Sequence, residues 1–304
     1  MNVSTILFPT DFSPCAAQAM GHALRLAAET GAELHMLHVV TLLDDDPHSP
    51  GHHFPDREQV MAALERTAAD RMESELAPHA GDLRVERVQR RGVSAAAAIL
   101  EYASEVGADL VVMGTHGRRG FTHVLLGSVA EEVLRHAACA VLTVRELREP
   151  KPPEAIERIL VPVDFSAPSR DAVRVARTLA AARGASVQLL HVVEEAIVPD
   201  FYMEGRVYKP LFSEDFRKRA VEALGVFAQE AGGPDAPMER FAVDGQATHE
   251  IVEFAREHGA GLVVISSHGL TGLAHLLQGS VAEKVARMAP CPVLTLKASA
   301  ESIG

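Results

Sequence analysis

This chain of 304 residues predicts an α/β fold built twice. Three observations carry that prediction. First, Leu7-Phe8-Pro9-Thr10-Asp11-Phe12-Ser13 returns as Leu160-Val161-Pro162-Val163-Asp164-Phe165-Ser166, with five of seven residues identical, and Leu37-His38-Val39-Val40 returns unchanged as Leu190-His191-Val192-Val193. From Leu110 to Arg135, 15 of 26 positions match Leu262 to Arg287. Second, Ser13 and Ser166 stand 153 residues apart, and Ser128 and Ser280 stand 152 apart, so a single deletion separates the copies. A period of that length fits a whole domain rather than a solenoid unit. Third, short apolar runs alternate with helix-length segments, the pattern of a parallel sheet covered on both faces.

The elements of the first copy follow in order. Val3–Pro9 reads as a buried strand. Ser13 then supplies an N-cap and Pro14 the first helical position, opening a helix over Ala16–Glu29 that Gly31 stops. Glu33–Val40 is a second strand, followed by a polar loop and a helix near Arg57–Leu76. Leu83–Gln89 is a third strand, and Ala95–Val106 a helix ending at Gly107. Asp109–Met113 is a fourth strand. A glycine-bearing loop, Gly114–Leu126, leads to a helix opening at Ser128, and Ala140–Arg145 closes the copy. The second copy repeats the order, with strands near Ile159–Pro162, Val187–Val193, Glu239–Val243, Leu262–Ile265 and Val293–Lys297. The charged, proline-rich stretch around Glu146–Pro153 reads as a linker, so we expect domains over 1–146 and 157–299 joined by 147–156.

Composition bounds the partners. Aromatics are 5% and tryptophan is absent, so the cores must be built from Ala, Val and Leu. A net charge of −12 argues against nucleic acid or an anionic membrane as the main partner. No apolar run reaches the length of a membrane span, and a soluble cytoplasmic protein is the expectation. Three cysteines, Cys15, Cys139 and Cys291, are too few for a disulfide framework. Cys139 and Cys291 read as small buried residues at the last strand of each copy.

The most suggestive chemistry is Gly114-Thr115-His116-Gly117, nine residues, then Gly127-Ser128. It lies where a parallel strand ends and a helix begins, the carboxyl edge at which open α/β sheets collect ligands. Glycine lets backbone approach a ligand, and amides at Gly127, Ser128 and Val129 are expected to point outward with no acceptor. Such a helix start favours a phosphate by roughly 0.3–2 kcal/mol from its dipole. The alternative is that the glycines serve tight turns and Ser128 caps a helix. No GxxxxGK[ST] loop occurs, no GxGxxG follows the first strand, and no lysine precedes Lys151. The loop therefore reads as holding a phosphate chain rather than cleaving it.

The strand ending Pro-Thr-Asp-Phe-Ser, the second strand ending His-Val and the Gly-x2-Gly-x9-Gly-Ser loop resemble the universal stress protein family in its tandem form, across both copies. The resemblance implies two doubly wound domains, each a five-stranded parallel sheet in the order 3-2-1-4-5 with helices on both faces. Its ATP-binding branch implies adenine contacts at Pro9, Thr10, Asp11 and Val39. Ribose and phosphate contacts fall on Gly114, Thr115, His116, Gly117, Arg118, Gly127, Ser128 and Val129, and Met113 joins the nucleotide-binding set. The corresponding set in the second copy is Pro162, Val163, Asp164, Val192, Ser266, His268, Gly269, Gly279, Ser280 and Val281. Implied with these are ATP, or ADP or AMP, with Mg²⁺ beside a triphosphate, a role in stress response, and no catalysis beyond slow ATP hydrolysis. The family's last strands pair domain with domain, and a homodimer is a further expectation.

The second copy departs where it matters. Ser266 stands in place of Gly114, Val163 in place of Thr10, and Leu270 and Thr271 in place of Arg118 and Arg119. The first copy is therefore expected to bind nucleotide more strongly. Asp11 has an alternative role as a turn residue at the helix start. The recurring pairs His116/His268, His123/His275 and His38/His191 read either as phosphate or magnesium contacts or as loop anchors. Asp44–His53 could chelate a divalent metal, although a solvated loop accounts for it equally. A scaffold for protein partners, with purely structural glycines, is the competing function; a nucleotide hydrolase lacks its lysine-bearing loop.

Overall fold

The computed structural model describes residues 3–41, 57–79, 81, 83–117, 126–147, 149, 156–194, 214–267 and 281–297. The chain divides into two units, Asn2–Pro153 and Glu154–Gly304.

In the first unit, β1 (Thr5–Pro9) is followed by α1 (Pro14–Thr30), β2 (Glu33–Thr41), α2 (Arg57–Leu76), a short 3-10 turn (Ala77–His79), β3 (Val85–Gly92), α3 (Ala95–Glu105), β4 (Leu110–Gly114), α4 (Ser128–His136) and β5 (Ala140–Val144). All pairings are parallel: β1 with β2 and β4, β2 with β3, and β4 with β5, giving the order 3-2-1-4-5. The second unit repeats it with β6 (Arg158–Pro162), α5 (Ala167–Arg183), β7 (Ser186–Val193), α6 (Glu214–Ala231), β8 (Met238–Asp244), α7 (Ala247–Glu257), β9 (Leu262–Ser266), α8 (Val281–Met288) and β10 (Val293–Leu296). There β6 pairs with β7 and β9, β7 with β8, and β9 with β10.

Local chemistry sets α1. The Ser13 hydroxyl accepts from the Ala16 amide at 3.2 Å, Pro14 opens the first turn, and Gly31 ends it at φ 69°. The Gly31 amide still reaches the Ala27 carbonyl while its left-handed backbone, adopted by glycine at no steric cost, turns the chain out of the helix. Ser166 and Gly184 cap α5 in the same way. The buried face of α1 is Cys15, Ala16, Ala19, Met20, Ala23, Leu24 and Ala27, a helical stripe of mostly small residues that draws the helix close to the sheet. Ile6, Leu7, Phe8, Leu34, Met36 and Leu37 are fully buried beneath the helices, each worth about 1.5–3 kcal/mol of transfer free energy.

The apolar pattern fails at the edge. β3 carries Glu86, Arg87, Arg90 and Arg91, and it is only partly buried. As the outer strand of its unit it has one open side, where charge discourages further strand pairing. Its arginines are tied back to the helices: Arg87 to Glu73, Arg90 to Glu105 at 2.7 Å, and Arg91 to Glu58 and Glu65. No described helix is long and apolar enough to cross a membrane.

Candidate functional site

The strand order reverses beside β1, so the crevice of the first unit lies at the carboxyl ends of β1 and β4. Thr10 and Asp11 leave β1 there. The Thr10 amide donates to the Leu37 carbonyl at 2.8 Å, its carbonyl meets His38 Nδ1 at 2.8 Å, and its hydroxyl accepts from the Phe12 amide at 3.0 Å. Asp11 Oδ1 accepts from the Ser13 amide at 3.0 Å, the turn role expected of it. Oδ2 is turned toward Gly117, on which a Cβ would meet it at 2.7 Å.

His38 is therefore a loop anchor, and so is His191, whose Nδ1 lies 2.8 Å from the Val163 carbonyl. Each also lies against a phenylalanine held at positive φ: the rings of Phe12 (61°) and His38 lie tilted with centroids 4.5 Å apart, and those of Phe165 (63°) and His191 4.7 Å apart. A bulky residue at positive φ costs on the order of 1–3 kcal/mol, and the ring contact offsets part of that.

The glycine turn is bound tightly to this corner. The Thr115 amide donates to the Val144 carbonyl at 2.9 Å, and the Thr115 hydroxyl lies 2.8 Å from His116 Nδ1. The Gly127 amide donates to the Thr115 carbonyl at 2.8 Å. This corrects the expectation of a free amide at Gly127: its donor closes the turn instead. A Cβ on Gly127 would stand 3.2 Å from that carbonyl and 3.9 Å from the Gly117 amide nitrogen. Asp11, Gly117 and Gly127 thus form one contiguous line.

Helix α4 begins at the end of that line. Its N-cap is Gly127, with no side-chain cap, and Ser128 is the first helical residue rather than the cap. Among the described residues, neither the Ser128 nor the Val129 amide has an acceptor. By contrast Ser13, Ser94 and Ser166 each close their own helix start. Gly117 and Ser128 are exposed, His116, Gly127 and Val129 half-buried, and Thr115 buried. The first turn of α4 therefore presents donors and the positive end of its dipole to the crevice.

Gly114 serves a different purpose. A Cβ there would meet Cys15 Sγ at 2.8 Å and the backbone of Cys15 and Ala16 at 3.1 and 3.3 Å. Its smallness admits the first turn of α1. Pro9 and Met113 are buried in β1 and β4, and Val39 is half-buried near the end of β2, beside Gly92. In the second unit Pro162, Asp164, Val192 and Ser266 are half-buried and Val163 is buried. Asp164 Oδ1 accepts from the Ser166 amide at 3.0 Å and from its hydroxyl at 2.6 Å. Val281 opens α8 as an exposed residue. Arg118, His123, His268, Gly269, His275, Gly279, Ser280 and the Asp44–His53 segment lie outside the described residues.

Three neighbours of the crevice escaped sequence reasoning. Burial pushes the Cys15 thiol up, against hydrogen bonds from the His116 and Thr115 backbone and the Thr115 side chain, and Sγ sits 3.3 Å from the Val144 carbonyl. Arg71 of α2 stands over the Phe12 ring at 5.5 Å. Burial, with Asp11 adding to it and Arg71 opposing it, raises the Glu75 carboxyl. Only the return of phenylalanine at 12 and 165 signals any of this in the sequence. Of the other cysteines, Cys291 is buried and Cys139 half-buried, both just ahead of their strands.

Comparison with known proteins supplies the relatives. The profile of the universal stress protein family matches residues 2–145 and again 155–297. The universal stress protein YxiE of Bacillus subtilis is 33% identical over 145 residues, covering 46% of this chain and 98% of its own length. The universal stress protein Mb2028c of Mycobacterium bovis is 30% identical over 197 residues, 63% of either chain. A universal stress protein of Archaeoglobus fulgidus superposes over 98% of this chain and 99% of its own, with TM-score 0.69 at 19% identity, which bears on fold alone.

Proposed function

The chain belongs to the universal stress protein family, and on that footing we propose that its first unit holds an adenine nucleotide at the carboxyl edge of the sheet. The observation that carries this reading is the line from Asp11 through Gly117 and Gly127 to the start of α4. An acceptor stands at one end and amide donors stand at the other. Asp11 Oδ2 suits an exocyclic amine, Val39 an adenine face, the Gly114–Gly117 backbone a ribose, and Ser128 and Val129 the phosphates. Mg²⁺ accompanies a triphosphate, bridging its oxygens.

The protein acts in this reading by binding, as a regulatory protein of stress response, with ATP hydrolysis slow at most. No lysine precedes Lys151, so none lies in or before the glycine turn of the first unit to stabilise a transferring phosphoryl group. The second unit is the weaker site, lacking counterparts to Thr10, Arg118 and Arg119.

The test measures which nucleotide the purified chain releases on denaturation, its molar ratio, and ATP binding by calorimetry. Loss of the dominant site in Gly127→Val, with retention in Gly279→Val, supports the reading. Absence of nucleotide together with no heat and no thermal shift overturns it. That outcome favours a scaffold for protein partners, a reading consistent with Gly114 lacking a Cβ because Cys15 packs against it.

A further inference from the structure

A second constellation lies at the opposite, amino edge of the first unit's sheet. Glu33 opens β2 and His35 follows two residues later, so both side chains leave the same face of the strand. The parallel register sets Glu86 of β3 beside His35. One ligating atom from each of the three lies within 4.8 Å of the others. His35 is only 7% exposed, and its Nδ1 lies 2.8 Å from the Tyr102 hydroxyl of α3.

Charge balance points the same way. Among the described residues no arginine or lysine forms an ion pair with Glu33 or Glu86. The neighbouring guanidiniums are engaged elsewhere: Arg84 with the Gly31 carbonyl, Arg87 with Glu73, and Arg90 with Glu105 and the Tyr102 ring. Two carboxylates and a nearly buried imidazole are thus gathered with no side-chain cation between them.

The second unit provides an internal contrast. The positions matching Glu33, His35, Glu86 and Tyr102 are Ser186, Gln188, Glu239 and Phe254. There Gln188 Nε2 donates to Glu239 Oε2 at 3.3 Å, and an amide closes what the first unit leaves open. The same sheet position holds an amide hydrogen-bonded to a carboxylate in one copy and three ligand-type groups in the other.

We propose that Glu33, His35 and Glu86 form a binding site for a divalent transition-series cation of the Zn²⁺ type. With Nδ1–H donating to the Tyr102 oxygen, Nε2 is the nitrogen offered to the ion, the outer contact that orients metal-binding imidazoles. One nitrogen and two carboxylates suit Zn²⁺, Co²⁺ or Mn²⁺; Mg²⁺ and Ca²⁺ prefer oxygen alone. Tetrahedral donors at about 2.1 Å from an ion stand roughly 3.4 Å apart. The carboxylates therefore need only swing inward, and the fourth position falls to water. The ion would clamp the edge strand β3 to β2, independently of the nucleotide crevice.

The full chain, stripped with chelator, is titrated with Zn²⁺ by calorimetry and with Co²⁺ by visible absorption. We expect one ion per chain at this site and a rise in melting temperature that chelator reverses. His35→Gln and Glu86→Gln each weaken binding roughly 10–100-fold or more. A His48/His52/His53→Ala triple variant, removing the other histidine-rich segment, keeps it. His35→Gln installs the residue that the second unit carries there, and Glu86 is exposed, so both variants should fold. No binding by the parent chain, or parent-like affinity in either single variant, overturns the proposal.

Discussion

Gly117 lies against Asp11 so closely that a methyl group on it would stand 2.7 Å from the carboxylate Oδ2. The obstacle is the tip of a side chain rather than backbone, and a side chain can turn away. Gly117→Ala should therefore leave the melting temperature nearly unchanged while displacing the carboxylate from the crevice. Calorimetry with ATP should show affinity reduced by about tenfold, the loss of one charged hydrogen bond. An unchanged affinity would separate Asp11 from nucleotide recognition.

Gly114→Ala should do the opposite. Its added methyl meets Cys15 Sγ and the backbone of α1 at 2.8–3.3 Å, and backbone does not yield cheaply. Overpacking of this kind costs about 1–3 kcal/mol. Chemical denaturation should reveal that loss, and Cys15→Ala should rescue only part of it because the backbone contacts remain.

Asp109 joins the amino end of β1 to β4, with Oδ2 accepting from the Ser4 amide at 2.8 Å, its hydroxyl at 2.7 Å and the Thr5 amide at 3.0 Å. Burial alone would raise the carboxyl, but these hydrogen bonds outweigh it and hold the group below its ordinary 3.8. A depressed carboxyl stabilises the fold fully above its unfolded value, and the benefit disappears as pH falls through the folded value. Asp109→Ala should thus be less stable than the parent by about 1 kcal/mol near neutrality. The gap should close below pH ~3.8, and urea midpoints across the acid range measure it.

Cys15 should resist alkylation. Burial raises its thiol and leaves it 1% exposed, so little thiolate forms and little reagent reaches it. Peptide mapping after brief treatment with iodoacetamide should find Cys139, which is half-buried, modified well ahead of Cys15. Equal labelling would show that the first turn of α1 opens readily.

Features that depend on neighbours along the chain were legible in the residues alone. Ser13, Pro14 and Gly31 announce the ends of α1, and Ser166 and Gly184 those of α5, because caps act within a few residues. Repetition and apolar runs settled the duplicated α/β class, and the Gly-x2-Gly-x9-Gly-Ser spacing marked the turn before α4. Tertiary structure decided what depends on residues far apart. The Thr115 carbonyl consumes the Gly127 amide, Cys15 dictates Gly114 from a hundred residues away, and Phe12 accepts a positive φ beneath His38. Register alone sets His35 beside Glu86, since strand pairing fixes which side chains meet and leaves no trace in either segment read alone.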